Sequence, residues 1–274
     1  MTAGSTVTAI ADYAILRLIG EGNNGRFYLA RPPARLGLAA EFVTLKVFGD
    51  RIDEQAYERG VRELRAFASV RSPYLVRVYD AVLEDRFAYA MEYLPLGSLA
   101  APARPLDVGA VLTALEHAAR AAHALHDAGL AHGDITPATI LLADEGGGRV
   151  GGRLCDLGLA RLLNPGNTLT GMGQASSVEY MDPSLLAGDR PSRRTEVWAL
   201  GASIHRALAG VGLFGDLPEN QPLLAIRKVL GGTPKVHEGL PPDAAALVRD
   251  CLADGDARPA TAGEVADRLA QLSR

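Results

Sequence analysis

Asp134 and Asp156 are the residues whose type and setting first suggest chemistry. Asp134 lies in His132-Gly133-Asp134-Ile135-Thr136-Pro137-Ala138-Thr139, which runs into the apolar Ile140-Leu141-Leu142. Asp156 follows Leu154 and Cys155 and precedes Leu157-Gly158. Two carboxylates on short loops, each beside a β-like apolar run, are what a site needs to orient a hydroxyl and hold a metal.

Phosphate chemistry is suggested upstream, at Gly20-Glu21-Gly22-Asn23-Asn24-Gly25 followed by Phe27-Tyr28-Leu29. Two strands joined by such a turn can lay backbone N–H groups over a phosphate, because glycine allows close approach and positive φ. A plain glycine-rich hairpin has the same pattern. A helix-opening dinucleotide fingerprint is disfavoured, since strand-like aromatic residues and Pro32-Pro33 follow. Lys46 sits within the alternating run at 41–48. A strand lysine usually snorkels to water, but the spacing after the glycines places this one to grip a phosphate. Glu63, beside the apolar stripe of a helix, reads alone as a solvated charge and with Lys46 as an ion-pair partner.

These residues need elements to position them. Alternation and β-forming residues predict strands at 15–18, 41–48, 74–83 and 86–93, the last two joined around Glu84-Asp85. A helix is predicted over 53–70, capped by Asp53, with Tyr57, Val61, Leu64, Phe67 and Val70 in phase. Pro95-Leu96-Gly97-Ser98 breaks the pattern, which places a lobe boundary near Glu92, Tyr93 and Leu94. Beyond it the periodicity is helical: 108–128 with Gly129 as stop, 194–209 with Gly210 as stop, then 223–230, 242–252 and 262–272. The segment 161–177 is polar and loop-like. His117, His123 and His126 share the first of these helices; no third ligand accompanies an i,i+3 pair, so a metal site is disfavoured.

The 274 residues, 48% hydrophobic and 22% charged, describe a globular chain with ample core. A net charge of −4 gives no general attraction to nucleic acid or to an anionic membrane. Cys155 and Cys251 form neither a metal-ligand spacing nor a disulfide framework, as expected of a reducing cytosol. No apolar run reaches the length of a membrane span, and the first residues lack a signal-peptide pattern, so a cytoplasmic location is expected.

Taken in order, residues 13–272 resemble a bacterial Ser/Thr protein kinase domain. Gly20, Gly22 and Gly25 match its glycine loop, Lys46 its strand lysine and Glu63 the helix partner. Met91 to Tyr93 match the hinge, His132 and Asp134 the catalytic loop, and Asp156-Leu157-Gly158 the metal loop with Leu for Phe. Tyr180-Met181-Asp182-Pro183, Trp198 to Gly201 and Arg258-Pro259 match signatures of the helical lobe. The resemblance implies an α+β, bilobal, single domain over 1–274: a small β-rich lobe (about 1–93) with one main helix, and a larger, mainly helical lobe (about 94–274). It implies ATP with Mg²⁺ or Mn²⁺, and a protein substrate or signalling partner. Asp134 would orient the substrate hydroxyl and accept its proton, Lys46 would be held by Glu63, and Asp156 and Thr139 would take metal. Gly20, Gly22, Gly25, Phe27, Thr44, Lys46, Met91, Glu92, Tyr93, Leu94 and Leu141 would surround the nucleotide.

The chain departs from the family at defined points. Thr139 replaces the Asn of the second metal site, and Thr136 the lysine that contacts the transferring phosphate. Each such loss is worth on the order of 3 kcal/mol, or 10² to 10³ in rate. Phe27 and Thr44 stand for the usual Val and Ala, Gly133 for an arginine and Glu196 for an aspartate. Ser184 replaces a glutamate, which leaves Arg258 to find another acceptor. Thr168, Thr170, Ser176 and Ser177 are candidate phosphorylation positions. Three readings follow: an attenuated Ser/Thr kinase, a pseudokinase that binds nucleotide or partners, and a small-molecule phosphotransferase. Tyr180 to Pro183 with Arg258-Pro259 speak against the third.

Overall fold

The computed structural model describes residues 9–22, 25–49, 54–84, 86–156, 175–218 and 221–273, and the chain divides into two units. The first takes the chain up to Ala68 and again Val76–Tyr93; the second takes Ser69–Leu75 and, from Leu94, the described remainder.

Six strands form one antiparallel sheet in the first unit: β1 (Ala9–Ile10), β2 (Tyr13–Gly22), β3 (Gly25–Arg31), β4 (Val43–Phe48), β5 (Val78–Leu83) and β6 (Phe87–Glu92). Their order is β1-β2-β3-β4-β6-β5. Strand alternation sends Val43, Leu45 and Val47 to one face, where they pack with Tyr13, Ala30, Ala88 and Ala90. Burying side chains such as Leu45 is worth about 1.5–3 kcal/mol each and fixes the register, since a one-residue slip would expose them all. The Tyr13 hydroxyl donates to Asp80 at 2.7 Å, and Arg35 bridges Asp80 and Asp12, tying β2 to β5. Helix α1 (Glu54–Ser69) buries Ala56, Gly60, Leu64 and Phe67; its predicted cap, Asp53, lies outside the described residues.

The predicted strand at 74–83 begins only at Val78. Tyr74 and Leu75 belong to the second unit, where the Leu154 N–H donates to the Tyr74 carbonyl at 2.8 Å and Leu75 bridges Leu154. A continuous apolar run cannot reveal that its backbone changes partners part-way.

The second unit is built on helices α2 (Val108–Asp127), α3 (Pro183–Leu186), α4 (Arg193–Ala209), α5 (Pro222–Gly231), α6 (Pro242–Leu252) and α7 (Ala262–Leu272), with a hairpin of β7 (Ile140–Asp144) and β8 (Val150–Leu154). The predicted α2 stripe, Leu112, Leu115, Ala119, Ala122 and Leu125, is buried, and Asp107 caps the helix by accepting the Ala110 N–H at 2.7 Å. β8 lies close on α2 because Gly152 has no side chain: a Cβ there would come within 2.4 Å of the Ala114 carbonyl oxygen. Helix α4 opens on a capping box between Ser192 and Thr195 and is buried all round from Thr195 to His205, as befits a central helix. Gly201 lets α6 approach it, since a Cβ would meet that of Cys251 at 2.5 Å. Among the described residues no helix is long and apolar enough to cross a membrane, and no cluster of acids, histidines and cysteines is arranged to hold a metal.

Candidate active site

In the first unit Phe27, Thr44, Lys46 and Met91 share the sheet face opposite the Val43 and Leu45 core. Phe27 and Tyr89 are the register partners of Lys46 on β3 and β6, and Met91 that of Thr44. Lys46, Thr44 and Met91 are all buried. The Lys46 ammonium sits 5.2 Å from the centroid of the Phe27 ring and 4.9 Å from that of Phe48. The ion pair expected between Lys46 and Glu63 does not form: Glu63 is half-buried and makes no salt bridge among the described residues. Gly22 pairs with Gly25 to close the hairpin, and Gly20 lies opposite Phe27. A Cβ at Gly25 would sit 2.2 Å from the Val47 carbonyl, so this position requires glycine for packing alone. The Glu92 N–H donates to the Arg77 carbonyl at 2.9 Å and its carboxylate accepts from the Arg77 N–H, which ties the end of β6 to the residue before β5. Tyr93 and Leu94, half-buried, carry the chain from one unit to the next.

In the second unit the loop before β7 is held by its own polar groups. His132 is fully buried: its Nδ1 accepts the Asp134 N–H at 3.3 Å, so its Nε2 carries the proton donated to the Cys155 carbonyl at 2.9 Å. One imidazole thus ties the residue before Asp156 to Asp134 itself. The Thr139 hydroxyl accepts the Thr136 N–H at 3.0 Å and donates to the Asp134 carbonyl at 2.8 Å, while the Cys155 N–H donates to the Thr139 carbonyl at 2.9 Å. Asp134 and Asp156 both remain half-buried. Asp156 has φ +71°, left-handed backbone that a non-glycine residue keeps only when its surroundings enforce it, as functional sites do. Gly133 has φ +83°, where a side chain would cost about 1–2 kcal/mol. Leu141, half-buried on β7, bridges Ser98.

A sequence model of the protein kinase domain matches residues 13–268. The chain belongs to the protein kinase family. It is 33% identical over 213 residues to the DNA damage-responsive serine/threonine-protein kinase RqkA of Deinococcus radiodurans, covering 74% of this chain and 31% of that protein. It is 28% identical to serine/threonine-protein kinase pkn2 of Myxococcus xanthus (98% of this chain, 33% of that one). To serine/threonine-protein kinase PknK of Mycobacterium tuberculosis it is 31% identical (93% and 23%). The chain therefore spans about a third or less of the length of these three relatives.

Two of this kinase domain's departures are accommodated by visible substitutes. Glu196, buried at the start of α4, accepts from the Gly133 N–H at 2.5 Å with one oxygen and meets His126 Nε2 at 2.7 Å with the other. Its extra methylene lets a single carboxylate hold both the catalytic loop and the end of α2. Arg258, with Ser184 opposite instead of a glutamate, pairs with Asp182 at 2.5 Å, donates to the Ala253 and Arg194 carbonyls, and lies over the Trp198 ring. Nearby, burial lifts the Glu179 carboxyl above its ordinary range, and Arg206 at 3.8 Å offsets this only in part.

Each unit gathers its own share of the predicted residues: Gly20, Gly25, Phe27, Thr44, Lys46 and Met91 in the first, Asp134, Thr139, Leu141 and Asp156 in the second. Leu157, Gly158, Thr168 and Thr170 lie outside the described residues; Ser176 and Ser177 fall on a 3-10 helix, Ala175–Tyr180. Sequence reasoning missed Asp182 as the partner of Arg258 and His126 as the partner of Glu196. It also missed Phe48, although two-residue alternation puts it on the Lys46 face.

Proposed function

We propose that the chain transfers the γ-phosphate of ATP to serine or threonine hydroxyls of a protein, at a rate lowered by its substitutions. The observation that carries this reading is the braced loop: Gly133 held by Glu196, Asp134 and Cys155 joined through His132, and Asp156 in a left-handed conformation. Preorganisation of this kind is what phosphoryl transfer demands of a protein, since there is little covalent chemistry for it to do.

Asp134 receives the proton of the substrate hydroxyl as its oxygen bonds to the γ-phosphorus and the bond to the β-phosphate oxygen breaks, releasing ADP. Lys46 holds the α- and β-phosphates, beneath the turn of Gly20, Gly22 and Gly25. Phe27, Thr44 and Met91 of the first unit are assigned to the base, as are the backbone groups of Glu92 to Leu94 and, in the second unit, Leu141. The hard carboxylate oxygens of Asp156 suit Mg²⁺ or Mn²⁺, and such an ion supplies charge neutralisation at the phosphates. Thr139 is assigned to bracing rather than to metal, because its hydroxyl already donates within the loop and accepts the Thr136 N–H. With Thr136 in place of a lysine, the phosphate also lacks one cation, which lowers the rate without abolishing it.

Purified protein incubated with γ-labelled ATP and Mg²⁺ or Mn²⁺ tests this. Label transferred to itself or to a general protein substrate by the wild type, and by neither Asp134→Asn nor Asp156→Ala, is the expected result. Nucleotide binding without any transfer would replace the proposal with a pseudokinase role.

A further inference from the structure

The Lys46 side chain is buried on a sheet face crowded with aromatic rings. Phe27 approaches it from the neighbouring strand as its register partner, and Phe48 from two residues along its own strand. Their centroids lie 5.2 and 4.9 Å from Nζ, within the range in which a ring face attracts an ammonium. Phe48 stacks on Phe87 at 5.3 Å and 30°, and Phe87 meets Tyr57 of α1 edge-on at 5.7 Å and 77°. Phe48 and Phe87 are both buried, so these rings are fixed by packing. Glu63, on the same helix as Tyr57, makes no salt bridge among the described residues.

We infer that Phe27 and Phe48 are positioning residues that fix the Lys46 ammonium by cation–π attraction, and that α1 acts on this lysine through Tyr57 and Phe87 rather than through Glu63. The attraction is strongest where water is excluded, as it is here. It also explains how a phenylalanine at 27 serves the site: the larger ring reaches the ammonium, which a valine cannot attract. Holding Lys46 in one direction raises the fraction of protein ready to receive phosphate oxygens, so the effect appears as nucleotide affinity.

The inference rests on the proposed role of Lys46, and the test separates the two. Dissociation constants for Mg-ATP and for adenosine are measured on the wild type and on Phe27→Val, Phe48→Leu, Phe48→Tyr, Tyr57→Leu, Glu63→Gln and Lys46→Ala. Phe48→Leu is expected to weaken ATP roughly 5- to 30-fold while leaving adenosine within about twofold, because only ATP carries the phosphates that Lys46 meets; Phe27→Val, whose ring also flanks the base, is expected to weaken ATP by a larger factor than adenosine. Phe48→Tyr, which keeps a ring, restores affinity; Tyr57→Leu gives a partial loss, and Glu63→Gln stays within about twofold. A general loosening of the fold would instead weaken ATP and adenosine together. The chain has only three lysines, Lys46, Lys228 and Lys235, so a lysine-labelled NMR spectrum is readily assigned. The Lys46 side-chain protons should be shifted upfield by the rings, and the shift should vanish in Phe48→Leu even without nucleotide.

Wild-type ATP affinity in both Phe27→Val and Phe48→Leu, with loss in Lys46→Ala, would overturn the inference and leave the proposed function standing. So would a Glu63→Gln loss equal to that of Phe48→Leu. Undiminished ATP binding by Lys46→Ala would overturn the proposed role of Lys46 and the inference with it.

Discussion

Arg258 donates from Nη1 to Asp182 Oδ2 at 2.5 Å, so the acid that neutralises this buried guanidinium lies two residues before Ser184, where the family's glutamate would stand. The second Asp182 oxygen accepts the Ser184 N–H at 2.9 Å and caps α3. Asp182→Asn keeps the cap geometry but removes the charge. Stranding a buried cation costs about 3–5 kcal/mol, so urea denaturation should show a loss of that order. Adding Ser184→Glu should return a substantial part of it, since the carboxylate then comes from the family's usual position. A double variant no more stable than Asp182→Asn would mean that the two positions are not interchangeable.

The brace at Glu196 leads to a kinetic prediction. Glu196→Asp shortens the arm by one methylene, and one carboxylate can then no longer reach both the Gly133 N–H and His126. Misplacing a catalytic group by about 1 Å costs on the order of 10² in rate. The expected signature is kcat reduced about 10- to 100-fold with the KM for ATP unchanged, because no phosphate contact is touched. A KM change with kcat intact would place Glu196 in binding instead.

Thr139 distinguishes a brace from a metal ligand. Thr139→Val leaves the buried Thr136 N–H without its acceptor, which costs about 1–3 kcal/mol of stability. Transfer should slow, while the Mg²⁺ concentration for half-maximal activity stays where it was. A marked rise in that concentration would restore Thr139 to the metal site that its position in the motif suggested.

These cases show what was legible in the sequence. Helices 242–252 and 262–272 were readable to the residue, because apolar periodicity, proline starts and a threonine cap act locally. The lysine, the two acids and the glycine turn were readable because motif spacing reflects the chemistry they share. The departures were visible as departures, but their compensation was not. Asp182 meets Arg258 across 76 residues and Glu196 meets His126 across 70. Such pairs form only when separate helices pack, and nothing in local periodicity encodes them. The strand at 74–83 misled for a related reason: an apolar run states that a segment is buried, not which backbone it will pair with.

The buried imidazole of α4 makes stability depend on pH. His205 has no exposed surface, and its Nε2 accepts the His237 N–H at 3.0 Å. Burial, with His237 and Arg206 acting in the same direction, holds its pKa below the ordinary value near 6.5. Protonation would cancel the hydrogen bond and leave a charge in an apolar setting. The folded pKa lies below the unfolded one, so stability is fully present above about pH 6.5 and is lost as pH falls from there through the folded value. His117, also shifted down by burial and accepting the Gly152 N–H at 3.1 Å, adds to the same limb. Thermal unfolding followed from pH 8 to 5 should therefore show Tm falling below about pH 6.5. His205→Gln presents a non-titrating oxygen to the His237 N–H, so it should flatten that fall while changing Tm little at pH 8. An acid limb as steep in His205→Gln as in the wild type would assign the loss to other groups.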